Sequence, residues 1–153
     1  RILLLELRPA ALTQVTLKQL FEQYLMPISS RQNFRLNLAI DDIPSLPPDV
    51  QIALYRIVQE SLNNVDKHAR AQQVTVRVVD EHERVLVQII DDGEGFDVNT
   101  VSATSLGLNI MRERAENVGI SLTIESQPGA GTCITMIWNR NALTPKRTYE
   151  GAK

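Results

Sequence analysis

Between Leu54 and Arg70 the apolar positions recur at the spacing of an α-helix. At about 100° of rotation per residue, Leu54, Val58, Leu62, Val65 and Ala69 share one side, and Arg56, Gln59, Asn63, Asp66 and Arg70 fall roughly opposite. A third stripe, Glu60, Asn64 and Lys67 with His68 beside them, runs along the border between the buried and the wetted sides, where a pocket rim would lie. The period changes elsewhere. Phe34, Leu36, Leu38 and Ile40 alternate with polar residues, as do Val74, Val76 and Val78, which predicts strands with one buried face. Val85 to Ile90 reads as a further strand, joined to the preceding one by a turn over Asp80 to Arg84, so the two form a hairpin. Ser121 to Ser126 and Cys133 to Trp138 form a second pair around QPGAGT.

Three further segments are helical. Ile2 to Leu7 reads as the end of a helix that began upstream and is interrupted by Pro9. Leu12, Val15, Leu17, Leu20, Phe21, Tyr24 and Leu25 predict a helix that stops near Pro27. Leu106 to Val118 predicts another, with Gly119 as a left-handed stop. The proline-rich DDIPSLPPD is a loop, and Pro48 suits the first turn of the central helix. No apolar period continues past Ala142, which predicts a disordered tail. About five strands with hairpins among the later ones, and three helices on one face, predict an α/β two-layer sandwich.

The chain of 153 residues is long enough for one domain with a true core. Its 16 basic and 18 acidic residues leave no excess charge to favour nucleic acid. No run approaches the ~18 apolar residues of a membrane span, and no signal-peptide pattern opens the chain. A single cysteine, Cys133, excludes an internal disulfide; it suits a reducing, cytoplasmic compartment and reads as core packing. The start at Arg1, directly into ILLLEL, reads as a cut from something longer.

Four stretches carry candidate chemistry. Glu60 and Asn64, a carboxylate and an amide carbonyl one turn apart with a cation beyond, suit Mg²⁺ carrying polyphosphate, since that ion takes few protein oxygens and fills its octahedron from phosphates and water. The same stripe also reads as an ordinary amphipathic surface. Asp91-Asp92-Gly93-Glu94-Gly95 follows a buried strand: a carboxylate at a strand end can accept from an exocyclic amine, and the glycines admit close backbone approach. Read alone, the motif is more readily an ordinary turn. Ser105-Leu106-Gly107-Leu108 opens a helix whose unpaired amides favour phosphate, and Gly129-Ala130-Gly131-Thr132 is a glycine-rich turn.

Taken in order, these stretches resemble the N box and the three glycine boxes of the ATP-binding catalytic domain of bacterial sensor histidine kinases, in the superfamily shared with gyrase, HSP90 and MutL. LLLELRPAAL and GLNIMRERAENVG resemble the subfamily that signals to response regulators with helix-turn-helix output domains. The resemblance covers about Arg1 to Trp138. It implies the Bergerat-type ATP-binding fold with a mixed sheet, ATP and Mg²⁺ as ligands, and an ATP-binding domain over residues 9–140, preceded by the end of a dimerisation helix or linker.

By position, Asn64 resembles the Mg²⁺ ligand, and Glu60 the acid that orients a metal-bound water or assists proton transfer. Lys67 and His68 match positions near the phosphates. Asp91 matches the carboxylate that receives the adenine amine, with Gly93 and Gly95 shaping the pocket. Leu106, Gly107 and Leu108 match the phosphate-side loop, and Thr132 the third-box threonine. Ser105 departs from the pattern, holding the place of the first glycine of a GxG at the end of a short lid over Phe96 to Ser105. The resemblance further implies a phosphoacceptor histidine on a dimerisation domain outside this chain, a homodimeric full-length protein, and a monomeric fragment, compatible with the cytoplasmic portion of a membrane-anchored sensor. His82, followed by Glu83, superficially resembles an acceptor but falls in a hairpin turn. A serine kinase of the anti-sigma-factor kind and a non-catalytic ATP sensor are the competing functions.

Overall fold

The computed structural model describes residues 9–101 and 105–141. The expected upstream helix end, the tail from residue 142 and residues 102–104 of the expected lid lie outside them. In chain order the elements are α1 (Pro9–Thr13), α2 (Leu17–Ser29), β1 (Arg35–Ile40), α3 (Pro48–Asn64) continuing into a π-turn (Val65–Ala69), β2 (Gln73–Asp80), β3 (Arg84–Asp91), α4 (Val98–Val101), α5 (Leu106–Asn117), β4 (Ile120–Ser126) and β5 (Thr132–Asn139). The five strands form one mixed sheet in the order β1-β2-β3-β5-β4, with β1 and β2 parallel and the other pairs antiparallel. The parallel pair needs a crossover, and α3 supplies it. The two predicted hairpin pairs, β2–β3 and β4–β5, are both present.

Register puts the apolar sets on one face. Leu36, Leu38 and Ile40 lie beside Val74, Val76 and Val78. Val74, Val76 and Val78 lie beside Asp91, Ile89 and Val87, and Asp91, Ile89 and Val87 beside Thr132, Ile134 and Met136. Asp91 is therefore the last inward position of β3, at the end of the series Val85, Val87, Ile89. The helices cover this face, and Leu54, Ile57, Val58 and Leu62 of α3 are fully buried in the shared core. Burying each such side chain contributes about 1.5–3 kcal/mol before entropy is charged against it. The opposite face is more polar, with Gln88 Nε2 donating to Thr135 Oγ1 at 3.3 Å.

The structure differs from the periodicity at three helical points. The helix expected through Leu12 to Met26 is broken: α1 ends at Thr13, and Thr16 starts α2 with a capping box, its hydroxyl accepting the Gln19 amide at 3.1 Å while Gln19 Oε1 accepts the Thr16 amide at 3.0 Å. α2 also runs past Pro27 to Ser29; Pro27 sits in the last turn, where the carbonyl it leaves without a donor belongs to the exposed Gln23. Finally, α3 widens into the π-turn at Val65 and ends in a left-handed Arg70 at φ 47°. With α1 and the short α4, the described residues hold more helical segments than the three expected.

Candidate nucleotide site

A cavity of about 410 Å³ opens between the C-terminal half of α3 with its π-turn, the adjoining ends of β3 and β5, and the N-terminus of α5. Of the residues singled out by sequence, Asn64, His68, Asp91, Gly95, Ser105, Leu108 and Thr132 line it.

Asp91 forms the polar end of the cavity. The residue is 8 % exposed, and its Oδ1 accepts the Gly93 amide at 2.9 Å. Burial holds its carboxyl above the ordinary carboxylate range, opposed by the Gly93 and Thr132 amides. Oδ1 is thus committed to the loop, while the residue itself lines the cavity. The neighbouring Asp92 turns the other way, its Oδ1 accepting the amides of Gln72 and Gln73 at 2.8 and 2.9 Å, and so fastens the loop to the start of β2. Gly93 has to be glycine for lack of space: a Cβ there would stand 2.3 Å from the Ala69 carbonyl oxygen. That carbonyl accepts the Glu94 amide at 2.7 Å, so the loop after β3 and the π-turn after α3 are held together behind the cavity.

Asn64 faces Asp91 across the cavity from α3. Its Nδ2 donates to the Met111 sulfur of α5 at 3.9 Å, which leaves Oδ1 free to coordinate or accept. α5 comes close at Gly107, where a Cβ would meet Glu60 Oε1 at 2.9 Å and Asn64 Oδ1 at 3.9 Å. The second glycine of the expected GxG is the point of contact between the two helices. Ser105, standing for the first, caps α5: its Oγ accepts the Leu108 amide at 3.3 Å. The first two amides of the helix, those of Leu106 and Gly107, have no intrahelical carbonyl to reach.

Thr132 is positioned by Ser126, a residue that sequence reasoning passed over. Ser126 Oγ donates to the Gly131 carbonyl at 3.0 Å and accepts the Phe96 amide at 2.9 Å. Its one proton is then spent, so the 2.8 Å contact with Thr132 Oγ1 has the threonine as donor. The lone pairs of Thr132 remain, and the backbone of Phe96 is tied to the sheet.

Other candidates stand apart from the lining. Glu60 lies in the adjoining groove between α3 and α5. Lys67 and His68 are both exposed, and of the two His68 lines the cavity; it stands one turn beyond Asn64, and the smaller rotation per residue of the π-turn keeps it in line with that residue while turning Lys67 away. Leu106 is 73 % exposed, and Gly93 backs the loop. The apolar walls, Val65, Ala69, Phe96 and Ile134, with Ser61, carry no polar signal in the sequence and read there as core or loop.

A buried acceptor at one end, apolar walls, a free amide oxygen and a helix N-terminus at the other end suit a purine nucleotide, with the base deep and the phosphates outward. Residues 49–142 match the family described as "Histidine kinase-, DNA gyrase B-, and HSP90-like ATPase". The chain belongs to this ATPase family. It is 37% identical over 134 residues to the sensor histidine kinase LiaS of Bacillus subtilis, covering 88% of this chain and 37% of LiaS. It is 33% identical to the sensor protein VraS of Staphylococcus saprophyticus, again over 134 residues, 38% of that protein. The chain thus spans little more than a third of these relatives. The fold is that of the histidine kinase domain of the Erythrobacter litoralis EL346 blue-light activated histidine kinase, at a TM-score of 0.71 and 22% identity over 83% of this chain and 62% of that one. The Acinetobacter baumannii histidine kinase AdeS gives 0.69 at 12% identity, over 83% of this chain and 66% of that one. Among the described residues of this ATPase domain, no helix is long and apolar enough to cross a membrane.

Proposed function

We propose that this ATPase-family chain is the catalytic domain of a sensor histidine kinase, which binds Mg-ATP and donates the γ-phosphoryl group to a histidine on the kinase's own dimerisation domain. The observation that carries the reading is the buried Asp91, with Oδ1 held by Gly93, in the lining of a cavity that Asn64 also lines. The other oxygen accepts from the exocyclic amine of adenine, and Thr132 supports the base edge. Val65, Ala69, Phe96 and Ile134 exclude water from its faces.

Toward the phosphates, Asn64 Oδ1 is the protein ligand for Mg²⁺. Among the described residues no three His, Cys, Asp or Glu side chains converge, which suits an ion that takes most of its ligands from phosphate and water. Bound there, the ion supplies charge neutralisation between the phosphates. Glu60, beside Gly107, orients a water or receives a proton; the amides of Leu106 and Gly107, with Lys67 and His68, hold the phosphate side. Phosphoryl transfer asks a protein chiefly for positioning and charge stabilisation, and these groups provide both.

His82 is no acceptor in this scheme. It sits at φ 63° in the turn between β2 and β3, while Asp91 ends the other side of β3, eight residues that span about 24 Å. The acceptor belongs to the dimerisation domain of a homodimeric full-length kinase, and the phosphoryl group passes on to a response regulator with a helix-turn-helix output domain, a class supported by the GLNIMRERAENVG stretch. The test is labelled Mg-ATP with the separately supplied dimerisation domain. Acid-labile label on that domain supports the reading; label on serine of a partner would favour the anti-sigma-factor kind, and ATP binding without transfer a sensing module.

A further inference from the structure

The buried polar side chains in the lining of the nucleotide cavity have no proton to give. Ser61 donates its hydroxyl to the Ile57 carbonyl at 2.7 Å and keeps only lone pairs, and an ionised Asp91 accepts alone. Thr132 stands beside Asp91, its register partner across β3 and β5, and its backbone amide donates to the same carboxyl. The threonine hydroxyl carries one proton, which could point into the cavity or away from it. Ser126 decides which. This last residue of β4 is the register partner of Thr132 on the other side and is absent from the cavity lining. A serine hydroxyl has one proton and two lone pairs. The proton goes to the Gly131 carbonyl at 3.0 Å and one lone pair to the Phe96 amide at 2.9 Å. The second lone pair is left for the proton of Thr132 Oγ1, 2.8 Å away.

Resting on the reading under Proposed function, we propose that Ser126 is a positioning residue for base selection: by holding the Thr132 proton it makes that hydroxyl an acceptor only, set against any base that presents a carbonyl where adenine presents its exocyclic amine. A threonine free to rotate would donate to the carbonyl as readily as it accepts from the amine, and would favour neither. Fixed by Ser126, it repeats with a neutral group the discrimination that Asp91 makes with a charged one. Ser126 therefore acts on the base through Thr132 without touching it. Its bond to the Phe96 amide anchors the loop after Gly95, and that anchor bears on every nucleotide alike.

The experiment is calorimetric titration with Mg-ATP and with Mg-ITP, whose base carries a carbonyl in place of the adenine amine and lacks the extra amino group of guanine. Four proteins are compared: the parent, Ser126→Ala, Thr132→Val and the double variant. Ser126→Ala is expected to lower the ratio of the ITP Kd to the ATP Kd about tenfold, ATP binding weakening while ITP binding strengthens. Loss of the Phe96 anchor alone would weaken both nucleotides by one factor and leave the ratio where it was. Thr132→Val removes the hydroxyl itself, so it should lower the ratio too, and adding Ser126→Ala in that background should leave the ratio unmoved. A parent-like ratio in Ser126→Ala, or the same fall with and without the Thr132 hydroxyl, would overturn the proposal and leave the nucleotide site standing. Should Ser126→Ala fail to fold, a parent-like ratio in Thr132→Val would overturn it equally, and a lowered one would support it. A folded parent that binds neither nucleotide would overturn both this proposal and the kinase reading.

Discussion

Replacing Asp91 with asparagine exchanges one oxygen for an amide nitrogen, and the surroundings decide which one. Asp91 Oδ1 accepts the Gly93 amide at 2.9 Å, so the asparagine carbonyl must stay there and its NH₂ must take the place of the other oxygen, the one proposed to meet the base. A donor then faces the exocyclic amine of adenine, itself a donor. Losing a hydrogen bond to a charged acceptor costs about 1.5–3 kcal/mol, roughly ten- to a hundredfold in affinity. GTP, whose base offers a carbonyl at that edge, loses less, so the preference for ATP should collapse. Stability moves the other way. The folded carboxyl titrates above its ordinary value because burial penalises the charge, so the native state binds its proton more tightly than the unfolded chain. Stability from this group therefore falls as pH rises from the ordinary carboxylate value through the raised one, and ionised Asp91 is a net cost at neutral pH. The Asp91→Asn substitution removes that cost, and the variant should melt no lower than the parent at pH 7. Calorimetry with Mg-ATP and Mg-GTP, alongside thermal melts, reads both effects. Unchanged ATP affinity, or affinity lost together with the fold, would refute the assignment.

Asn64→Ala should abolish the Mg²⁺ dependence of ATP affinity with little change in melting temperature, because the side chain sits at a rim; unfolding of the variant, or a parent indifferent to Mg²⁺, would make the residue structural. Gly93→Ala and Gly107→Ala should separate by melting temperature: the first drives a Cβ onto the Ala69 backbone carbonyl and should cost about 1–3 kcal/mol, whereas the second meets only the tip of Glu60, which can swing away, and should lose transfer while keeping its fold. Asp80, held below the ordinary carboxylate range first by its side-chain bond to Arg140, contributes stability that is present above that range and is lost as pH falls through its depressed value. Asp80→Asn should accordingly melt lower than the parent at pH 7, and the gap should close as the solution is acidified toward the depressed value in a melt series.

β1 and β2 were legible through their period of two, and the later strands as apolar runs flanking turns; alignment of β3 with its neighbours then reveals Asp91 as a carboxylate where the next inward apolar residue belongs. Asn64 was legible as a rim residue because α3 is regular up to that point. Beyond it the helix widens, and nothing in VDKHA announces a π-turn. The cause is tertiary: the Ala69 carbonyl must meet the Glu94 amide and clear Gly93. The break before α2 was visible in principle, as Thr16 and Gln19 are spaced for a capping box, but the apolar period runs across it through Val15. The cavity's apolar walls carry no sequence signal that separates them from core, since Val65 and Ile134 serve as both.

The most direct test of phosphoryl donation is a single transfer assay. Incubated alone with labelled Mg-ATP, the chain should acquire no acid-labile label, since His82 and the Asp91 cavity lie at opposite ends of β3. Adding the dimerisation domain of its own kinase should place acid-labile, alkali-stable phosphate on that domain, and the Asp91→Asn chain should lose this transfer at low ATP concentration. Label on His82 of the isolated chain, or no label on the dimerisation domain from a chain shown by calorimetry to bind Mg-ATP, would contradict it.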